Sequence, residues 1–244
     1  VELKNGAIHA LHFDSKVGND EANIIKGIVS QFQLDTRAQN LIQCRRNQLP
    51  QADAETPSAV YKTMEPSVTG KCETMYDISP IPEYQIAANQ EWAPLHSLKH
   101  KDQHFIEVVK STNYSNCDDN LGYHYGITAM SNQKPGSNKM GEWFARSNVH
   151  RAVLTGSLHN YTIQSSVTVN RVIVSPELHN SEKAMVVSRV NVTLSDVRSP
   201  QRPQSSEKPA DMVQTSLYYQ YNNVTFHDNK IQPYSSSSSS SSSS

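Results

Sequence analysis

Alternation of apolar and polar residues is the clearest pattern in the chain, and it predicts β-strands that each bury one face. The most regular case is residues 161–170, where one face carries Tyr161, Ile163, Ser165, Val167 and Val169. The opposite face of this segment is polar. Beyond Asn170 the apolar phase changes, which predicts a bulge or a bend at Arg171, because one extra residue moves every later side chain to the other face.

Shorter β-rich runs separated by turn-forming residues predict further strands. They cover residues 60–63, 84–88, 105–111 and 123–130. Two more faces are formed by Val186, Ser188, Val190, Val192 and Leu194, and by Leu217, Tyr219 and Tyr221. Residues 1–14 alternate imperfectly around Asn5 and Gly6, which indicates a hairpin turn or the end of a strand. Such strands predict a mainly β, antiparallel fold, with the sheet closed into a barrel or strongly curved, rather than a parallel α/β fold.

One segment has the period of a helix, and a helix is predicted there over about residues 20–34. Asn19 and Asp20 can cap its start, and Glu21 suits the positive end of the helix dipole. The apolar face carries Ile25, Ile28, Val29 and Phe32, and it is widened by Ile24 and Leu34. Such a wide apolar surface suits a helix enclosed on several sides. An amphipathic helix packed on an open sheet would satisfy the period equally well.

Composition indicates where the loops lie and where the domain ends. Residues 39–67 are polar and contain three prolines, so they are predicted as a loop with one short strand. Residues 197–208 are charged, serine-rich and twice interrupted by proline, which predicts a mobile loop between strands. Residues 235–244 are all serine and bury no apolar area to offset the entropy of ordering. One domain is therefore predicted over residues 1–234, with a polyserine linker over residues 235–244.

Two of the three cysteines stand in segments typical of neighbouring strands. Cys72 and Cys117 each lead into an aromatic, strand-like run, as when one disulfide joins adjacent strands in an oxidising compartment. Closing that loop would stabilise the fold by about 4 kcal/mol. Two free thiols remain the alternative, while the cysteine spacing does not favour a zinc site. Cys44 is then the odd thiol, either buried or paired with a partner outside this chain.

Length and charge narrow the possible functions. A chain of 244 residues can bury a sizeable core. Its formal net charge of −1 gives no electrostatic reason to expect nucleic acid or a membrane surface as the main partner. No apolar run is long enough to span a bilayer, so no transmembrane segment is predicted. The chain lacks an initiator methionine and a signal-peptide pattern at Val1, which predicts that it is a fragment.

The candidate catalytic motifs are incomplete. Residues 136–141 have the glycine spacing of a phosphate-binding loop, but Glu142 and Trp143 replace the Lys and the Ser or Thr that this loop requires. Cys44 lies beside two arginines, which would favour a thiolate, yet the sequence assigns it no oriented base. No catalytic residue is therefore predicted.

Three histidines are the remaining candidates for metal binding. His96, His100 and His104 recur every four residues, and on a helix they would share one face and could bind zinc. Pro94 and the β-rich run that follows favour a loop leading into a strand, which would separate the three side chains. No metal site is therefore predicted, and a zinc site at these histidines remains the alternative.

Four N-x-[ST] sequons are candidates for N-glycosylation, at Asn113, Asn160, Asn191 and Asn223. The chain is so rich in Asn, Ser and Thr that a similar number would arise by chance. The sequons therefore permit a secreted glycoprotein without requiring one.

Six segments of the chain follow one another in the order typical of a known family. They are residues 21–35 (EANIIKGIVSQFQLD), 67–80 (SVTGKCETMYDISP), 116–126 (NCDDNLGYHYG), 134–146 (KPGSNKMGEWFAR), 161–176 (YTIQSSVTVNRVIVSP) and 187–194 (VSRVNVTL). The terminal serine run follows them. In these segments, and along nearly its whole length, the chain resembles the insect vitellogenins, the large egg-yolk lipoproteins. Six segments in the right order make this a specific match.

The resemblance implies a fold and a role for the linker. It implies an antiparallel β-barrel like the N-sheet of lipovitellin, with the predicted helix at its centre and with its first strands missing at the N-terminus of this chain. A serine-rich stretch in the family separates this barrel from the lipid-binding regions, which would lie beyond Ser244. Such stretches are often phosphorylated, so the phosphorylation candidates are Ser235, Ser236, Ser237 and Ser238.

The resemblance also implies a role in lipid transport and nutrient storage, in a protein secreted into the haemolymph and then stored in oocyte yolk. Uptake in the family uses receptors of the low-density-lipoprotein receptor type, whose acidic, calcium-bound modules grip exposed lysines. The strand before the second cysteine is the implied contact, which makes Lys110 a candidate together with Lys99 and Lys101. Protonation of His100 or His104 would make the affinity depend on pH. Lipid would be held by the remaining regions, so no cofactor is expected in this fragment.

Two other functions stay open on the residues alone. One is an interaction module that binds pathogen surfaces, zinc or DNA, which the net charge does not support. The other is a secreted hydrolase with an unfamiliar site, which would need a catalytic role for Cys44.

Overall fold

The computed structural model describes residues 1–4, 6–51, 57–95, 104–120, 144–174, 184–198 and 212–220. In this part of the chain the fold is mainly β, as predicted. The strands are β1 (Glu2–Lys4), β2 (Ala7–Asp14), β3 (Ala59–Ser67), β4 (Gly70–Ile81), β5 (His104–Asn120), β6 (Phe144–Gly156), β7 (Tyr161–Val174), β8 (Ala184–Thr193) and β9 (Met212–Thr215). The helices are α1 (Asn19–Val29), which a 3₁₀ turn extends over Ser30–Phe32, and α2 (Glu83–Ala88), which a 3₁₀ turn follows over Gln90–Trp92.

The strands form two antiparallel sheets. The large sheet has six strands in the order β3-β4-β5-β6-β7-β8, so each strand pairs with its neighbour in sequence. The small sheet has the order β1-β2-β9. Within the described ranges, β3 and β8 are the edges of the large sheet, which is open rather than closed into a barrel. The predicted antiparallel fold is confirmed in its curved-sheet form, and register shifts between β4 and β5 and between β6 and β7 bend the strands.

Most of the predicted strands exist, but one of them is a helix, and Leu217 and Tyr219, predicted on a strand face, lie beyond the end of β9. The runs at residues 60–63, 105–111 and 161–170 lie in β3, β5 and β7, and the predicted N-terminal hairpin turns at Gly6 with a φ of 73°. Residues 84–88 were predicted as a strand, and this is wrong because they belong to α2, which Pro82 precedes. Pro82 has the φ that suits the start of a helix, and a short apolar run does not distinguish the two structures. The run at residues 123–130 lies outside the described residues.

The bulge in β7 lies at a different residue from the one predicted. Val153 pairs with Ser165 whereas Leu154 pairs with Ile163, so Gln164 is the extra residue. The prediction of a bulge at Arg171 is therefore wrong. The buried face is also reversed, because the fully buried side chains of β7 are Gln164, Ser166 and Thr168.

Helix α1 lies where a helix was predicted, but its N-cap is Gly18, so the prediction that Asn19 and Asp20 cap its start is wrong. The helix also does not bury its apolar face. Ile24 and Ile28 are 66% and 47% exposed, whereas Lys26 is fully buried. The Lys26 ammonium donates to the carbonyl oxygen of Tyr218 at 2.6 Å, so the polar side of the helix lies against the residues that follow β9. The prediction that several sides of the helix are enclosed is wrong within the described part of the chain, because polar partners decide which side is buried.

The large sheet carries an apolar core on each face. The first core packs Leu34 and Leu158 against strand residues that include Tyr61, Tyr76 and Ile106. The second core lies on the opposite face of the sheet, where α2 packs against Phe105 and Val153. Because Phe105 and Ile106 are consecutive in β5, they point to opposite faces. We call the face covered by Leu34 the inner face.

Candidate functional site

A row of polar and aromatic side chains crosses the inner face of the large sheet. Tyr61 pairs with Tyr76, Tyr76 with Lys110, Lys110 with His150, and His150 with Thr168. Residues that pair directly in antiparallel strands point to the same face, so these five side chains form one line across β3 to β7. All of them are buried. We call this line the polar row.

The segment that follows α1, residues 31–36, is held against the polar row. Thr168 donates its hydroxyl hydrogen to the side-chain oxygen of Gln31, and Lys110 donates to the carbonyl oxygen of Gln33 at 2.7 Å. Tyr61 donates to the carbonyl oxygen of Asp35 at 2.5 Å. The row therefore fixes the position of the segment that joins the helix to the large sheet.

A buried ion pair lies at the centre of this contact. The Lys110 ammonium is 2.6 Å from a carboxylate oxygen of Glu65, and the two side chains are only 10% and 7% exposed. Tyr76 donates its hydroxyl hydrogen to the other oxygen of the same carboxylate. Burial and the charge of Glu65 raise the pKa of Tyr76 well above its usual value, so its hydroxyl stays protonated as a donor.

Lys110 is therefore not available as an exposed lysine for a receptor. Alternation along β5 places its side chain on the same face as Ile106 and Val108, which belong to the first core. The expectation of a surface role for Lys110 is corrected by this burial. Lys99 and Lys101 lie outside the described residues and stay predictions.

His150 has one satisfied and one unsatisfied ring nitrogen. The hydroxyl hydrogen of Thr168 goes to Gln31, so the Nδ1–H of His150 is the donor to the Thr168 oxygen at 2.7 Å. The other nitrogen, Nε2, is buried without a hydrogen-bond partner among the described residues. Burial, reinforced by the positive charge of Lys110, lowers the pKa of His150 to about 3. The imidazole is therefore neutral across the physiological pH range.

The lowered pKa of His150 predicts that the protein loses stability in acid. An unfolded chain binds a proton at His150 below about pH 6.5 while the folded chain does not, so the free energy of unfolding falls as the pH decreases from 6.5 toward 3. Between pH 7.5 and 5.5 the expected contribution of this group is a loss of about 1.4 kcal/mol. Urea denaturation of the wild-type chain and of His150→Gln at both pH values gives the free energies of unfolding. The change with pH in the wild-type chain minus the change in His150→Gln is the contribution of His150.

The exposed histidine His104 supplies the matched control. His104→Gln removes an exposed imidazole, and the pH dependence of His150→Gln should be weaker than that of this control. An equal pH dependence in the wild-type chain and His150→Gln would show that this imidazole titrates alike in the folded and unfolded states.

A disulfide joins β4 to β5 at the end of the large sheet. Cys72 and Cys117 form it, as predicted, whereas Cys44 is an exposed free thiol. Beside it, the Glu73 carboxylate accepts hydrogen bonds from Lys62 at 3.0 Å, Asn113 at 3.1 Å and Asn116 at 2.9 Å. Burial would raise the pKa of Glu73, but these three donors outweigh it and lower that pKa.

The other predicted site residues are scattered over the surface or lie outside the described residues. Asn113, Asn160 and Asn191 are exposed, as is His104. The remaining candidates, Asn223, His96, His100 and the serines from Ser235 to Ser238, lie outside the described ranges. Within those ranges, three or more His, Cys, Asp or Glu side chains nowhere converge as metal ligands. The helices there are also too short or too polar to cross a membrane.

Comparison with known proteins decides the family. The sequence model of the Vitellogenin N-terminal domain matches residues 1–202. The chain belongs to the vitellogenin family. It is 43% identical over 220 residues to vitellogenin of Anthonomus grandis, covering 90% of this chain and 12% of that protein. It is 39% identical over 239 residues to vitellogenin-A1 of Aedes aegypti, covering 98% of this chain and 11% of that protein.

The fold of this vitellogenin chain is also similar to a solved structure. The lipovitellin structure superposes with a TM-score of 0.57 at 18% sequence identity, over 91% of this chain and 19% of that one. The similarity is one of fold. The chain spans 11% and 12% of the two insect relatives, so what the whole proteins do is a matter for proposal.

Sequence reasoning missed most of the polar row in this vitellogenin chain. Tyr76, His150 and Thr168 of the row, and Glu65 beside it, were not singled out, because alternation assigns polar residues of a strand to solvent. Gln31, Gln33 and Asp35 are buried as well, together with Leu34. Their alternation with apolar residues would also assign them to solvent, so the local sequence carries no signal for this buried polar segment.

Proposed function

We propose that the chain is part of the N-terminal domain of a secreted yolk-precursor lipoprotein that acts in lipid transport and nutrient storage. The observation that carries the proposal is the match of residues 1–202 to the Vitellogenin N-terminal domain, together with a fold similar to lipovitellin. The disulfide between Cys72 and Cys117 supports secretion, because such bonds persist in oxidising compartments.

The domain has a structural and binding role rather than a catalytic one. Glu65, Lys110 and Tyr76 are bonded to one another and to the segment that follows α1. Their hydrogen-bonding capacity is therefore used to hold the fold. Lipid is held by the other regions of the longer protein, so this chain alone should bind little of it.

Receptor recognition for oocyte uptake is the proposed binding role. The partner is a vitellogenin receptor of the lipoprotein-receptor family, whose calcium-bound acidic modules would contact exposed lysines. The burial of Lys110 leaves Lys99 and Lys101 as the candidates.

Binding of the purified chain to the ectodomain of such a receptor tests this role. We expect saturable binding that EDTA abolishes, because the receptor modules need calcium to hold their acidic side chains in place. The Lys99→Ala, Lys101→Ala double variant should bind about ten-fold more weakly, because one or two charge-assisted hydrogen bonds to the receptor would be lost. Exposed Lys16 gives the control, and Lys16→Ala should bind like the wild-type chain. Binding that survives EDTA, or that the double variant leaves unchanged, would count against the proposed contact.

A further inference from the structure

The last strand of the large sheet, β8, is an unprotected edge. It pairs with β7 on one side, and among the described residues no strand pairs with its other side. The opposite edge of the sheet, β3, is covered, because residues 40–48 form bridges and backbone hydrogen bonds with it. An uncovered strand edge presents unpaired N–H and C=O groups, with which a strand of a second chain can pair.

The side chains of β8 do little to prevent such pairing. Met185, Val186 and Val187 are 62%, 63% and 50% exposed, and Arg189 is the one charged residue of the strand. The strand contains no proline, and its pairing with β7 has no bulge. Charges, prolines and bulges are the usual protections of an exposed edge, so β8 needs protection of another kind.

The apolar surface continues from β8 onto the face of the sheet opposite the inner face, which we call the outer face. Arg189 pairs with Val169, and Val169 pairs with Val149. These side chains lie on the outer face, because they are one position away from the polar row along their strands. Helix α2 covers one end of this face at Phe105 and Val153, but Val149 is left 42% exposed.

A glycosylation sequon lies on β8 where the edge meets the outer face. Asn191 pairs with Val167, and Thr193, two residues later, points to the same face. Both Asn191 and Thr193 are exposed. The side-chain oxygen of Asn191 accepts a hydrogen bond from Arg189 at 3.1 Å, whereas its amide nitrogen makes none with the described residues. The atom to which an N-linked glycan is attached is therefore free.

The other two sequons in the described ranges are placed differently. Asn113 donates from its amide nitrogen to Glu73 at 3.1 Å and accepts from the backbone N–H of Ser115, so both ends of its amide are used. Asn160 is exposed in the turn between β6 and β7, beyond Ser165, where the pairing with β8 ends. A glycan at Asn160 would therefore lie farther from the exposed apolar residues of β8.

We propose that Asn191 carries an N-linked glycan that covers the β8 edge and the adjoining part of the outer face, and so keeps two copies of the domain from pairing through β8. From the spacing of strands and of residues along them, Val149 and Val187 lie within about 15 Å of Asn191. A branched oligosaccharide of several sugars spans that distance, and it is bulky and solubilising. The proposal rests on the secreted location in the proposed function, because N-linked glycans are added to chains that enter the secretory pathway.

Glycopeptide mapping tests the attachment, on the chain expressed in insect cells behind a signal peptide and purified from the medium. We expect the peptide that contains Asn191 to carry glycan. Thr193→Ala should remove this glycan, whereas Thr193→Ser keeps the sequon and should retain it. A bare Asn191 would overturn the assignment, whether or not Asn160 carries glycan. The receptor-binding assay tests the proposed function separately, because it does not depend on a glycan at Asn191.

Sedimentation velocity tests the shielding. Asn191→Gln should shift the chain from monomer to dimers and larger species, and Thr193→Ala should do the same. Asn160→Gln is the matched control, because it also removes a sequon but should stay monomeric. Adding Val187→Lys to Asn191→Gln should restore the monomer, since a charge on an edge strand opposes pairing. If Asn191→Gln sedimented like Asn160→Gln, the shielding role would be overturned, with circular dichroism confirming that each variant is folded.

Discussion

Replacing Lys110 with methionine should lower the free energy of unfolding by about 3–5 kcal/mol, because the carboxylate of Glu65 would stay buried without its cation. The variant also loses the hydrogen bond from the ammonium to the carbonyl oxygen of Gln33. Methionine retains most of the apolar stem of lysine, so the change leaves little empty space. Urea denaturation followed by circular dichroism measures the effect.

The exposed ion pair between Lys71 and Asp118 provides the matched control. Lys71→Met makes the same chemical change where both partners are largely in solvent, and it should alter the free energy of unfolding by less than about 1 kcal/mol. Adding Glu65→Gln to Lys110→Met should recover part of the loss, because no unpaired charge then stays buried. A loss as small for Lys110→Met as for Lys71→Met would show that the pair is solvated.

Removing the disulfide with Cys72→Ser and Cys117→Ser should lower the free energy of unfolding by about 4 kcal/mol, because the bond closes a loop across a sequence separation of 45 residues. Cross-linking of that span reduces the conformational entropy of the unfolded chain. Urea denaturation under non-reducing conditions gives the value.

The third cysteine is the control for this loss. Cys44→Ser replaces an exposed free thiol and should leave the free energy of unfolding within about 0.5 kcal/mol of the wild-type value. A reducing agent should bring the wild-type chain to the stability of the double serine variant. If Cys44→Ser destabilised the chain as much as the double variant does, the pairing would have to be reassigned.

The two largest predicted effects connect the fold to the proposed function. The disulfide holds β4 to β5 at one end of β5, and the Lys110–Glu65 pair holds β5 to β3 across the sheet and to the segment after α1. Both contacts fix the position of β5, the strand that the family resemblance implies as the contact with the receptor. Loss of receptor binding in a Lys110 variant would therefore reflect an altered fold, which is why Lys99 and Lys101 are the informative positions.

The strands were predictable to the extent that their pattern was local. Residues 161–170 alternate strictly, and the chain does run there as β7, because a period of two is a property of an extended backbone. Which of the two faces of the strand is buried was not predictable from that pattern. Thr168 is buried because His150 and Gln31 supply hydrogen-bonding partners from elements distant in sequence.

Partners distant in sequence also decide which side chains of the helix and of the candidate site are buried. A period of 3.6 residues located α1, but the burial of Lys26 depends on the carbonyl oxygen of Tyr218, which is 192 positions further along the chain. Lys110 is another such case. Its neighbours in sequence indicate only a strand, whereas its burial depends on Glu65 and Gln33.

The amino-acid sequence by itself determined the antiparallel β class, the presence of a helix after residue 18, the pairing of Cys72 with Cys117 and the vitellogenin family. These features follow from local periodicity, from cysteine placement and from segments that need no partner to be recognised. Only the tertiary structure decided which polar side chains are buried, where the bulge lies in β7, and that the apolar face of α1 is exposed. The physical reason is that a buried polar group is stable only when its partners reach it, and here those partners come from remote parts of the chain.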